Sequence, residues 1–232
     1  NLFKDMVCYQ EEVRDPSRMA EVLNRVIEKA FRGSAPAQIN VPRDYWTQVI
    51  DIELPPIVRF ERQGGGKEAI ENAAKILSKA KFPVILSGAG VVLGGAIDEC
   101  KKLAEKLDAP VCNGYQHNDS FPGSHPLAVG PLGYNGSKAA MELISKADVV
   151  LALGTRLNPF STLPGYGIDY WPKKATIIQV DVNPDRIGLT KKVSVGICGD
   201  SKQVAQQILE KLSPDAGNTG REERKNLIHK TK

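Results

Sequence analysis

Apolar positions along this chain follow two periodicities. Met19, Val22, Leu23, Val26, Ile27, Ala30 and Phe31 recur at helical spacing behind Asp15-Pro16, an N-cap followed by proline at the first helical position. Gly33 ends that pattern, and alternation of Ala37, Ile39 and Val41 in PAQINVP reads as a strand. One helix and one strand over 1–45 bury too little to form a core alone, so the segment reads as the trailing edge of a domain. Pro55-Pro56 and Gly64-Gly65-Gly66 give 46–66 the chemistry of a linker.

A regular alternation follows. Ile70, Ala73, Ala74, Ile76 and Leu77 share one face of a helix over 67–80. Five short apolar runs read as strands: PVILSG (83–88), APVCNG (109–114), DVVLALG (148–154), TIIQVDV (176–182) and VSVGIC (193–198). Helical patterns at 95–108, 137–147 and 201–212 separate several of them, with Ser137 and Asp200-Ser201 as N-caps. Apolar, β-branched strands suit a sheet covered on both faces, and helices between parallel strands make right-handed crossovers. The expected fold is α/β, a doubly wound, Rossmann-like parallel sheet over 67–213. SPDAGNTGREERK then reads as a loop and a charged helix start, leading into a further linker over 214–232.

Composition narrows the classes. A hydrophobic fraction of 41% permits a buried core. The net charge of +4 is concentrated in the last twelve residues, which hold five Lys/Arg against two Glu and read as a solvated helix or linker. No basic face is interleaved with aromatics, so nucleic acid is not an expected partner. No apolar stretch approaches the roughly 20 residues of a membrane span and no signal peptide is visible, which points to the cytoplasm and away from a membrane partner. Cys8, Cys100, Cys112 and Cys198 form no CxxC pair and read as buried, reduced thiols; His117, His125 and His229 lack metal-ligand spacing. GxSxG, Walker A and HExxH motifs are absent, as is a paired-carboxylate spacing suited to glycoside hydrolysis.

Ligands of an open α/β sheet bind beyond the carboxyl ends of its strands. Gly88 and Gly90 stand there, in a turn that leaves backbone N–H groups for a phosphate or serves close packing; the spacing to Gly94 is not the strict GxGxxG. Gly114, Gln116 and His117 follow the second strand; the histidine is a proton-transfer group or a surface residue. Arg156 follows the third, as a clamp for a phosphate or sulfonate or as half of a salt bridge. Asp181 ends the fourth and either accepts from a ribose or caps the Asn183-Pro184 turn. The long segment 158–172, rich in aromatics, Gly and Pro, reads as a subunit or domain contact.

PAQINVPRDYW, FPVILSGAGV, LAEKLDAPV, HPLAVGPLGYNG, ADVVLALGTRL, IIQVDVNPDRIG and GICGD, in this order and spacing, resemble the middle domain of thiamine-diphosphate-dependent enzymes of the acetohydroxyacid synthase type. DMVCYQEEVRDPSRMAEVLNRVIEKA, GYQHNDSFPGSHPL and GTRLNPFSTLPGYGIDYWPK are similar to the branch of that family acting on sulfoacetaldehyde. The resemblance implies that sulfoacetaldehyde and phosphate give acetyl phosphate and sulfite, with thiamine diphosphate and Mg2+ as cofactors and a homo-oligomer as the assembly. It implies that 1–45 is the end of a pyrimidine-binding domain and 214–232 the start of a linker to a diphosphate-binding domain. The glutamate and the GDG motif of those domains have no counterpart here, as the chain has no Asp-Gly dipeptide. No catalytic residue is therefore assigned, and the chain alone is expected to be inactive. Family members of the synthase type bind FAD in the middle-domain cleft, at positions matching 88–90, 114–118, Arg156 and Asp181; the implied chemistry needs no flavin. A pyruvate-using synthase, a nucleotide-binding module and a purely structural domain are the alternative readings.

Overall fold

The computed structural model describes residues 2–56 and 61–232, so the part of the 46–66 linker that falls on 57–60, together with Asn1, lies outside the described residues. The chain divides into two compact units, 1–60 and 61–232.

In the first unit, β1 (Tyr9–Glu12) and β2 (Ala37–Asn40) pair in parallel, Tyr9 opposite Ala37, with helix α1 (Met19–Gly33) between them. The expectation of one strand before residue 45 is thus corrected to two. YQEE carries no apolar alternation, because β1 is stitched by polar pairs: Gln10 Nε2 donates to Gln38 Oε1 at 2.8 Å, and Asn40 Nδ2 to Glu12 Oε2 at 2.7 Å. Asp15 caps as expected, accepting from the Ser17 N–H at 2.9 Å, but the proline starts a 3-10 turn, Pro16–Arg18, before α1 begins. Gly33 is the last helical residue; the left-handed position falls on Ser34, at φ 46°. Val13, Val22 and Val26 form the small core.

The second unit is a six-stranded, all-parallel sheet in the order β5-β4-β3-β6-β7-β8. Its strands are β3 (Pro83–Ser87), β4 (Val111–Asn113), β5 (Ala128–Pro131), β6 (Val149–Leu153), β7 (Thr176–Asp181) and β8 (Val195–Cys198). The order reverses between β3 and β6, as in dinucleotide-binding folds. β3 and β6 are buried at every residue, which is why their sequences run apolar without alternation. Five strands match the expected runs; β5 is an addition. It lies at the sheet edge, and of its own four residues only Ala128 and Val129 are buried, before Gly130 and Pro131.

Helices α2 (Lys67–Lys79), α3 (Ala89–Leu93), α4 (Ile97–Leu107), α5 (Lys138–Ile144), α6 (Ser201–Lys211) and α7 (Arg221–Thr231) complete the unit. The helix expected over 95–108 is α4, preceded by the separate short turn α3. Ser137 Oγ accepts from Ala140 N–H, and Asp200 Oδ1 from the N–H groups of Lys202 and Gln203, so both expected caps are present. The glycine run at 64–66 is packed rather than loose: the Asp200 N–H donates to Gln63 O at 2.8 Å, and Gln207 Nε2 to Gly64 O at 2.8 Å. The charged tail also differs from a solvated helix. On α7, Arg224 is 0% exposed and Ile228 is buried against the core. Two of the four cysteines, Cys100 and Cys112, are buried; Cys8 is exposed and Cys198 half-buried, and all four are free thiols.

Candidate functional site

The carboxyl ends of β3 and β6 meet at the strand-order reversal, and glycine backbone fills the space between them. Gly88 N–H donates to Leu153 O at 3.1 Å, and Gly90 N–H to Gly154 O at 2.8 Å. Two amides that a phosphate would need are therefore spent on β6. A Cβ on Gly88 would stand 2.6 Å from Gly154 O, and one on Gly90 2.7 Å from Gly154 Cα. Gly154, at φ +61°, would place a Cβ 2.5 Å from Ser201 Oγ and 2.7 Å from Val91 N. Of the two readings of the Gly88–Gly90 turn, the geometry displays close packing. The α6 N-terminus is likewise occupied, by Asp200, whose other carboxylate oxygen accepts from Arg62 Nη1 at 3.1 Å.

Outside that seam, three loops hold one another. The loop after β4 begins with Gly114, whose N–H donates to Ser87 O at 2.7 Å. Gln116 is exposed at φ 71°, and His117 is half-buried, its N–H donating to Gly114 O. Beneath them Ser120 Oγ lies 2.8 Å from His117 O and receives Asn113 Nδ2 at 3.0 Å, while Ser87 Oγ donates to Ser120 O at 3.1 Å. The loop after β6 is pinned to this one by Tyr115 N–H donating to Ser161 Oγ, 2.9 Å, and closes on itself where the Tyr170 hydroxyl donates to Ser161 O, 3.1 Å. It reaches the loop after β5 through the Tyr166 hydroxyl, which donates to Gly136 O at 3.3 Å.

Arg156 is exposed, and its guanidinium has no hydrogen bond or ion pair among the described residues. Its neighbour Leu157 is fully buried at φ 53°, and Thr190 Oγ1 donates to Leu157 O at 2.8 Å, so the backbone that presents Arg156 is fixed. Asp181 is buried, and its Oδ1 accepts from Asn183 N–H at 2.9 Å, which is the turn-capping role. Sequence reasoning did not find Ser87, Asn113, Ser120, Ser161 or Tyr170, which hold these loops; small polar residues at strand ends carry no signal until their partners, distant in sequence, are known.

Burial shapes the ionisable groups here. The Cys100 thiol is pushed up to about 12 and the Cys112 thiol upward as well, both by burial, so neither is a nucleophile near neutral pH. Tyr170 is pushed up to about 12, again by burial. No group of three His, Cys, Asp or Glu side chains that could hold a metal ion converges among the described residues. Nor does the glycine turn fit the pyrophosphate of FAD, since the amides of Gly88 and Gly90 face Leu153 and Gly154. What the edge offers a ligand includes the exposed Arg156 guanidinium, the exposed Gln116 and an exposed rim of Tyr134, Phe160, Leu163 and Tyr166.

Residues 70–208 match the family described as thiamine pyrophosphate enzyme, central domain, and the chain belongs to it. Among curated relatives, it is 79% identical over 231 residues to a probable sulfoacetaldehyde acetyltransferase of Rhizobium meliloti (strain 1021), covering 100% of this chain and 39% of the relative. It is 78% identical to the sulfoacetaldehyde acetyltransferase of Roseovarius nubinhibens, over 99% of this chain and 38% of that one. A probable acetolactate synthase large subunit of Methanocaldococcus jannaschii is 34% identical over 91% of this chain and 36% of its own length. The fold recurs in a benzoylformate decarboxylase from Polynucleobacter necessarius, at 22% identity and a TM-score of 0.76, over 95% of this chain and 41% of that one. The chain thus spans about 38–39% of the length of these sulfoacetaldehyde acetyltransferase relatives.

Proposed function

We propose that this chain serves as the central-domain part of a thiamine-diphosphate-dependent acetyltransferase that converts sulfoacetaldehyde and phosphate into acetyl phosphate and sulfite. The observation that carries the reading is the contrast in identity: 79% to a probable sulfoacetaldehyde acetyltransferase against 34% to a probable acetolactate synthase large subunit. Thiamine diphosphate, held with Mg2+, supplies the carbanion chemistry. Its binding belongs to parts of the relatives' length that this chain does not span.

The chain's own contribution is structural support and a surface. Residues 1–45 stand for the end of a pyrimidine-binding domain, 46–66 for a linker, 67–213 for the middle domain and 214–232 for the start of the next connection. At the middle-domain cleft, Gln116 and Arg156 are the groups that would meet an anionic ligand, with His117 and Asp181 as further candidates and Gly88, Gly90 and Gly114 shaping the turns. The apolar rim at Tyr134, Phe160, Leu163 and Tyr166 supports a homo-oligomer as the working form. No helix among the described residues is long and apolar enough to cross a membrane, and we place the enzyme in the cytoplasm.

The test uses a protein containing this chain together with the flanking length its relatives carry. Supplied with thiamine diphosphate, Mg2+, sulfoacetaldehyde and phosphate, it should release sulfite and form acetyl phosphate. Consumption of pyruvate without sulfite release would overturn the reading. The 232-residue chain alone should release no sulfite in the same assay.

A further inference from the structure

We propose that α7 and the turn before it form a strap that opens as one unit at the amino edge of the sheet, with Arg224 as its latch. Arg224 is 0% exposed, yet the nearest carboxylate oxygen, Asp108 Oδ2, is 3.9 Å away. Its guanidinium instead donates to five backbone carbonyls. Nε reaches Asp108 O at 2.7 Å, and Nη2 reaches Leu107 O at 3.0 Å, satisfying the carbonyl end of α4. Nη1 reaches Lys81 O at 2.5 Å, just before β3, and the remaining bonds run to Thr219 O and Gly217 O in the strap's own turn. One side chain therefore ties α4, the entry to β3 and the strap together.

Beyond Arg224, α7 is held by Ile228 and Leu227 against the core and by its packing on α5. Of its eleven residues only Arg224 and Ile228 are buried, and a helix of this length is marginal alone in water. The turn has conformations suited to a hinge, with Gly217 at φ +85° and Gly220 at φ +67°. Each lies against the same edge: a Cβ on Gly217 would come 2.5 Å from Lys106 O, and one on Gly220 2.8 Å from Lys81 O. Burial disfavours the charged form of Arg224, lowering its pKa, and opening returns both the guanidinium and its carbonyls to water. Closure thus depends on all five bonds forming together, which makes docking all-or-none, while the sheet, packed by α2, α4 and α6, does not depend on it.

Hydrogen exchange read by mass spectrometry tests the proposal on the whole chain. In Arg224→Met, exchange within 221–231 should rise by at least ~30-fold while peptides of β3, β6 and β7 change by less than ~3-fold. Arg224→Lys keeps the charge but cannot reach five carbonyls, and should resemble the Met variant. Unchanged protection of α7, or loss of protection in α7 and the sheet together, would overturn the latch. Should the variants fail to fold, native-state exchange of the wild type in low denaturant decides. Amides of α7 opening before those of the sheet support the strap, and amides exchanging only with global unfolding refute it.

Discussion

The two edges of the six-stranded sheet each carry an arginine, and the two are used in opposite ways. At the amino edge Arg224 is fully buried and spends every donor on backbone carbonyls. Asp148 does the converse beside it, accepting from the N–H groups of Lys81 and Phe82 at 2.7 and 2.9 Å. At the carboxyl edge Arg156 is exposed and free of partners among the described residues. Arg224 and Asp148 at the amino edge complete the fold, whereas the guanidinium of Arg156 at the carboxyl edge, unlike the carboxylates of Asp181 and Asp200 there, makes no bond among the described residues. Even the carboxyl edge is not uniform. Its centre is shut by glycine backbone, and only its outer loops remain available.

Five measurements press on that contrast, taken from the largest effect to the smallest. Gly154→Ala should be worst, because φ +61° combines with a Cβ 2.5 Å from Ser201 Oγ and 2.7 Å from Val91 N. A loss of about 3 kcal/mol or more in urea unfolding is expected, and a loss under about 1 would mean the seam is looser than described. Asp148→Ala removes two charge-assisted bonds to strand-entry amides and should cost about 2 kcal/mol by the same measurement.

Alkaline pH comes next. Cys100 and Tyr170 have folded pKa values raised to about 12 from 9.0 and 10.0, so the unfolded chain releases protons first. Stability is fully present below pH 9 and falls as pH climbs towards 12. A single such group contributes at most about 1.4 kcal/mol per pH unit. A flat unfolding midpoint between pH 9 and 11 would contradict the burial of these groups.

Gly167→Ala supplies the control for Gly154. Its φ is +72°, but a Cβ there meets nothing within 4 Å. Only the intrinsic cost of a left-handed alanine remains, about 1 kcal/mol. Equal losses at 154 and 167 would remove crowding from the explanation. Arg156→Ala should change stability by less than about 0.5 kcal/mol; a larger loss would reveal a structural bond at the carboxyl edge.

Much of this was legible from the sequence, for identifiable reasons. Val84-Ile85-Leu86 and Val149-Val150-Leu151 are apolar on both faces because both faces are covered, and such runs announce buried strands. β1 was hidden because its pairing is made by Gln10 and Glu12, polar side chains with partners on β2. The charged run REERK concealed Arg224, since composition shows a charge but not the carbonyls gathered around it. At the site, Arg156 and Gln116 stand exposed where strand-end reasoning placed them. The role of Gly88 and Gly90 was undecidable, because what fills the space before them, Gly154, follows a different strand.

That seam has a consequence for how the chain folds. β3 finds β4 and β4 finds β5 nearby in sequence, and β6, β7 and β8 are likewise successive neighbours. Joining β3 to β6 requires Pro83 to meet Val149 across everything between them. Two three-stranded halves can therefore assemble locally, and their union at the glycine contact is the entropically expensive, late event. Kinetic φ-values near zero for truncations at Ile85 and Val150, with higher values within each half, would be its signature.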